Sequence, residues 1–295
     1  MKSSIQSFLN TLNHQKNYSP HTISNYKRDL LQLLAYITQY NPNCWKDIEY
    51  KHCRSYLAHL HDANQKAHTI ARKLSSCRSL WTYLLSKNEV STNPWALIKG
   101  PKKEKYLPRL LDKEQLNTFL NTVETNTLQD IRNKAIYELL YATGCRISEL
   151  CSLTIQDIDL DKQECLIKGK GNKERIGLFG ETAKKALCHY LRIVYPKWKS
   201  PEHQYLFLSQ KGTCLSTRSV QRDLKKALLK AGFSSNITPH SLRHSFATGL
   251  VDNGANLRAV QELLGHESIS STQIYTHLST EKLEATYKKA HPRAN

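Results

Sequence analysis

The chain has 295 residues, 39% of them hydrophobic, enough apolar material for sizeable buried cores and long for a single one. Its 43 lysines and arginines against 25 acidic residues leave a formal charge of +18, a field that attracts polyanions, nucleic acid first and an anionic membrane surface second. No long apolar run is present, which argues against a membrane span or a signal peptide, and eight scattered cysteines without a C-x-x-C pair point to buried, reduced thiols in a cytoplasmic protein rather than disulfides or zinc.

In chain order, residues 1–95 read as a small all-helical unit. Ile5, Phe8, Leu9 and Leu12 fall at helical spacing. Ser19-Pro20 has the form of an N-cap followed by proline at the first helical position, and Ile23, Tyr26, Leu30, Leu33, Leu34 and Ile37 then mark one apolar face. Cys53, Tyr56, Leu57 and Leu60 predict a third helix; Ile70, Leu74, Cys77, Leu80, Trp81, Leu84 and Leu85 predict a fourth. Arg72, Lys73 and Arg78 lie beside that fourth stripe, either as a solvated face or as a DNA-facing surface. Periodicity breaks at Asn93-Pro94, and residues 96–110, which include the proline- and lysine-bearing KGPKKEKYLPRL, read as a basic linker able to lie along a phosphate backbone.

The second domain, residues 111–295, opens with Asp112 and Gln115 in capping-box spacing. Helical patterns run through LNTFLNTV and IRNKAIYELLYATG. Cys165–Ile167 and Ile176–Phe179 flank Gly-Lys-Gly-Asn-Lys, which predicts a β-hairpin with a basic tip. Further helical runs follow: ETAKKALCHYLRIV, TRSVQRDLKKALLKAG, SLRHSFATGLVDNG, NLRAVQELLGH and TEKLEATYKKA. The expected fold is mainly α with one small sheet.

Among candidate sites, His240 and His244 stand four apart, but H-E-x-x-H requires glutamate at 241, where this chain has Ser241. GKGNKER lacks phosphate-loop spacing, so neither a metal nor a nucleotide cofactor is expected. What remains is a set of cations with one tyrosine. Arg146 follows a helix end at Thr143-Gly144, with Glu149 three residues on; Lys170 sits on the hairpin tip. His240 and Arg243 are three apart and so are expected on one helical face; His266 and Tyr275 come last. Each alone has an ordinary structural explanation.

Taken together, ATGCRISEL, GKGNKER, PHSLRHSFAT, LLGHESIS and STQIYTHLS resemble the tyrosine site-specific recombinases, in particular the bacterial Xer type. The likeness extends to SPHTISNYKRDL near the start and AHPRA at the end. Gly249, where the family usually has histidine, and Cys145, where it usually has leucine, are departures outside the six chemical positions. The resemblance implies a SAM-like helical core-binding domain, a basic linker and a mostly helical catalytic domain whose C-terminal helix is exchanged between protomers. It implies Tyr275 as nucleophile, Arg146 and Arg243 as a phosphate clamp, and His266 as a further donor. His240 would be the acid/base partner and Lys170 the general acid, with Glu149 orienting Arg146. Arg72, Lys73, Arg78, Lys173 and Arg175 are candidate DNA contacts. The implied partners are a duplex recombination site, a homo- or hetero-tetramer with a second Xer recombinase, and a septum-associated DNA translocase as regulator, with no membrane insertion. A phage or transposon integrase, a type IB topoisomerase-like enzyme, and a non-catalytic DNA-binding protein on the same scaffold stay open as alternatives.

Overall fold

The computed structural model describes residues 1–14, 18, 20–101, 111–169, 174–234, 236–265 and 280–294. The chain divides into two compact units, Met1–Tyr106 and Leu107–Asn295. The first contains α1 (Lys2–His14), α2 (Pro20–Ile37), α3 (Tyr50–Asp62) and α4 (Ala67–Ser86). Proline opens α2, where its missing N–H would have no helical partner anyway; Ser19 lies outside the described residues. Ile5, Phe8, Leu9 and Leu12 of α1 are buried against α2 and α4. The centre of this unit is aromatic: the Trp81 ring meets Trp45 edge-on at 5.1 Å and Trp95 at 5.7 Å. Trp95 and Ile98 are buried in that core, so it takes in residues beyond 95, where the linker was expected to begin. Residues 102–110 of the expected linker are outside the described residues.

The cations of α4 correct one expectation. Lys73 is 4% exposed, its ammonium bonded to Gln32 and 3.7 Å from Asp29, a carboxylate buried on α2. Burial lowers its pKa, opposed by Asp29. Arg72 also bonds Asp29, and Arg78 donates to the carbonyls of Trp95 (3.2 Å) and Ile98. A buried carboxylate needs compensating charge, which Arg72 supplies by a hydrogen bond and Lys73 by proximity. Lys73 is therefore too buried to face DNA, while Arg72 and Arg78 are half-buried and bond within the unit.

The second unit begins with α5 (Lys113–Thr122), capped as the spacing predicts: Asp112 Oδ1 accepts the Gln115 N–H at 2.8 Å. Then come α6 (Leu128–Thr143), α7 (Ile147–Ser152), β1 (Ile158–Asp159), β2 (Glu164–Lys168), β3 (Glu174–Leu178), α8 (Glu181–Ile193), α9 (Tyr195–Trp198), α10 (Thr217–Lys230), α11 (Pro239–Asp252), α12 (Leu257–Leu264) and α13 (Thr280–Ala290). Buried nearly all round from Ala135 to Thr143, α6 packs against α8, α10 and α11. The sheet is antiparallel in the order β1-β2-β3, with Leu166 opposite Ile176 and Lys168 opposite Glu174. The hairpin strands lie where the two short runs, Cys165–Ile167 and Ile176–Phe179, predict them; the two-residue β1 is too short to show a period.

The helix α13 packs on α11 and α12 of its own unit. Beyond it, Arg293 reaches Glu138 at 2.9 Å, Asn117 and Asn121 at 3.3 Å, and Thr182 at 3.4 Å. Glycine at 180 makes room for this tail, since a Cβ there would fall 2.0 Å from the Arg293 carbonyl oxygen. Gly249, the family departure, has only ordinary contacts around it, with Pro292 and Tyr141 at 3.9 Å. All eight cysteines are free thiols. Among the described residues no helix is long and apolar enough to cross a membrane, and no three His, Cys, Asp or Glu side chains converge as metal ligands would.

Candidate active site

Gly144 ends α6 in the left-handed region at φ 57°, a conformation that favours glycine. Space demands it too, because a Cβ would meet the Phe246 ring of α11 at 2.4 Å. The chain then turns through Arg146, the N-cap of α7. Glu149, buried on the first turn of α7, accepts the Arg146 backbone N–H at 2.9 Å and its guanidinium at 2.7 Å. What the sequence shows as a simple three-residue pair is thus a double tie across a helix start.

A third partner arrives from β3. Arg175 donates to Glu149 Oε2 at 2.7 Å and, through Nε, to the Leu263 carbonyl at 3.0 Å. Its side chain, expected as a phosphate contact, is 12% exposed and paired with Glu149. Arg243, 5% exposed on α11, donates to the Gly144 carbonyl at 2.6 Å and to the Leu264 carbonyl at 2.7 Å. Four elements, α6, β3, α11 and α12, therefore meet through guanidinium groups beside the start of α7.

The charges do not balance. Among the described residues one carboxylate faces three guanidinium groups, a surplus of two positive charges. Burial, together with Arg146 and Arg175, pushes the Arg243 pKa down to about 10, which leaves it protonated at neutral pH. For Glu149, burial acts upwards, but Arg175 and the Arg146 N–H outweigh it and hold the carboxyl below its usual range. Arg146, with 46% of its side chain exposed, is where the cluster opens to solvent. Such an arrangement favours a bound anion, and planar guanidinium forks match phosphate oxygens.

Thr238 and Ser241 cap α11 reciprocally around Pro239, and His240 stands exposed on that first turn while Arg243, one turn on, faces inward. Lys170, Lys173, His266 and Tyr275 lie outside the described residues. Two features escaped the sequence reading. Lys168 ties the foot of the hairpin to Asp157 at 3.0 Å. Arg218, Arg222, Lys225, Lys226 and Lys230 stand exposed on α10, a basic face whose signal in the sequence was five cations in fourteen residues.

Residues 109–282 match the phage integrase family, and residues 5–88 match the SAM-like N-terminal domain of phage integrases. The chain belongs to the phage integrase family. Like other members it is a tyrosine recombinase, an enzyme that breaks and rejoins DNA site-specifically. Tyrosine recombinase XerC of Staphylococcus aureus (strain JH9) is 39% identical over 289 residues, covering 98% of this chain and 96% of that protein. The same identity holds over 287 residues with Tyrosine recombinase XerC of Staphylococcus haemolyticus, covering 97% and 96%. Among solved structures, a lambda integrase dimer on a core site superposes with a TM-score of 0.69 at 19% identity, covering 93% of this chain and 99% of that one. At that identity the likeness concerns the fold of this recombinase.

Proposed function

We propose that this recombinase cuts DNA with Tyr275 and uses Arg146, Lys170, His240, Arg243 and His266 as the remaining catalytic groups. The observation that carries this reading is the guanidinium surplus around Glu149, built from Arg146, Arg175 and Arg243. Attack on a phosphodiester builds charge on the non-bridging oxygens, and fixed cations in a partly desolvated site stabilise it without reorganising. The Tyr275 oxygen attacks phosphorus, the bond to the 5′-oxygen breaks, and that oxygen takes a proton from Lys170. The product is a 3′-phosphotyrosyl bond, reversed when another strand's 5′-hydroxyl attacks it, so no cofactor is consumed. A phenol with a pKa near ~10 needs help to ionise; the positive cluster supplies a Coulomb term and His240 a base.

Its substrate on this reading is a duplex recombination site, with the helical unit and the catalytic unit each contributing phosphate contacts. The assembly is a homo- or hetero-tetramer with a second Xer recombinase, exchanging C-terminal helices, under a septum-associated DNA translocase. Its role is resolving chromosome and plasmid dimers in the cytoplasm before division. The whole-length likeness to Staphylococcus XerC proteins favours this over a phage or transposon integrase. Incubation with a nicked recombination-site duplex tests the core of it. Wild type should yield a denaturant-resistant protein–DNA adduct and Tyr275→Phe none; an undiminished adduct from Tyr275→Phe overturns the assignment.

A further inference from the structure

We infer that Arg175 is a positioning residue for strand cleavage: it braces the end of α12 against the Glu149–Arg146 pair. This rests on the proposed role of Tyr275. The last carbonyls of a helix have no partner within it and must find one elsewhere. At the end of α12 the Leu263 carbonyl accepts from Arg175 and the Leu264 carbonyl from Arg243, so two arginines from two other elements hold two successive peptide groups. The next residue, Gly265, turns the chain at φ 64°, and a Cβ there would lie 3.1 Å from Cδ of Arg175 and 3.4 Å from its Nε. The chain enters position 266 directly after that turn. Arg175 thus fixes the point from which the segment carrying His266 and Tyr275 departs.

The same side chain also governs Arg146. Glu149 Oε2 receives both the Arg175 guanidinium and the Arg146 backbone N–H, while Oε1 receives the Arg146 side chain. Removing Arg175 takes one of two donors from Glu149 Oε2 and, in the same step, one of the two arginine ties from the end of α12. A lysine cannot replace it, because one ammonium does not span two acceptors as a planar fork does. Misplacement by about 1 Å in such a site costs on the order of 10²-fold in rate.

The test uses the full chain and a nicked recombination-site duplex. Single-turnover adduct formation at saturating protein, well below the melting temperature, is compared with half-site affinity across a salt series. Arg175→Lys should bind with an unchanged salt slope yet form adduct ~10–100-fold more slowly. Combining it with Glu149→Gln should slow the reaction by less than the product of the two single effects, because the two residues share the Arg175–Glu149 contact. Gly265→Ala, which keeps both arginines but crowds Arg175, should show the same separation of rate from binding. Full-rate cleavage by Arg175→Lys overturns the inference, and so does a loss confined to binding with a salt slope reduced by about one, the mark of a phosphate contact. If wild type forms no adduct, or Tyr275→Phe still forms it, the reading of Tyr275 fails instead; an active wild type with a dead Tyr275→Phe and a full-rate Arg175→Lys removes the brace alone.

Discussion

Two buried arginine networks in the second unit use the same chemical groups to opposite ends. Arg132 of α6 is 2% exposed and pairs with Asp223 at 3.1 Å, donates to the Leu208 carbonyl at 3.2 Å, and sits 5.5 Å over the Trp198 ring. Burial lowers its pKa, and Asp223 opposes that shift. Arg243 of α11 is buried to a similar degree, but its neighbours Arg146 and Arg175 push its pKa in the same direction as burial does. A guanidinium matched by a carboxylate locks a core; one crowded by other guanidinium groups is held at a cost in stability that an incoming phosphate relieves. The sign of the neighbouring charge, more than burial or residue type, separates the Arg132 network from the one proposed to be catalytic.

The comparison breaks most visibly through truncation. Arg132→Met leaves Asp223 buried with only the exposed Arg222 beside it, and should cost ~3–5 kcal/mol in urea unfolding. Arg243→Lys should change stability far less while slowing adduct formation by ~10²–10³-fold. If the two variants exchange these phenotypes, the distinction is lost.

A balanced site can also be unbalanced by a proton. At the docked tail Arg293 pairs with Glu138 at 2.9 Å, and His291 stacks on Tyr287 and lies against Tyr141 and Phe246. Burial, with Arg293 nearby, pushes the His291 pKa down to about 3. The folded state therefore binds fewer protons than the unfolded chain between about pH 3 and the ordinary histidine pKa near 6.5. Stability from this group is complete above that range and falls as pH drops through it, by up to ~1.4 kcal/mol per pH unit. Amide exchange in α13 at pH 7.5, 6 and 5 should show protection falling with pH, and His291→Phe should flatten the dependence.

The smallest effect contrasts paired with unpaired surface charge. Lys73→Met, removing a cation matched by Asp29, should leave the salt dependence of DNA binding unchanged. Lys225→Ala, from the exposed basic face of α10, should reduce that slope by about one. Equal slopes for the two variants would mean that pairing does not decide which cations meet DNA.

Much of the fold was legible because its signals are local. Caps, prolines and apolar spacing act within a turn or two, so α5 starts where Asp112 and Gln115 predict and α13 spans the predicted TEKLEATYKKA. The unit boundary was harder to read: Trp95 and Ile98 follow a proline and show no period, yet they complete the first core. Within the site, helical spacing put His240 and Arg243 on one face, but a fork as long as arginine's reaches inward to carbonyls that a histidine on the first turn does not approach. Lys73 was misread because a lysine beside an apolar stripe looks the same whether it faces solvent or a buried carboxylate.

By itself the amino-acid sequence determined the helical architecture and the order of the chemical groups, Arg146, Lys170, His240, Arg243, His266 and Tyr275, and with them the family. Only the tertiary structure decided which charges are matched. Asp29 pairs with Lys73 and Arg72 from another helix, and Arg243 meets the carbonyl of Gly144 from 99 residues away. Periodicity and capping are one-dimensional and short-ranged, whereas Coulomb pairing and desolvation depend on distance and burial in three dimensions.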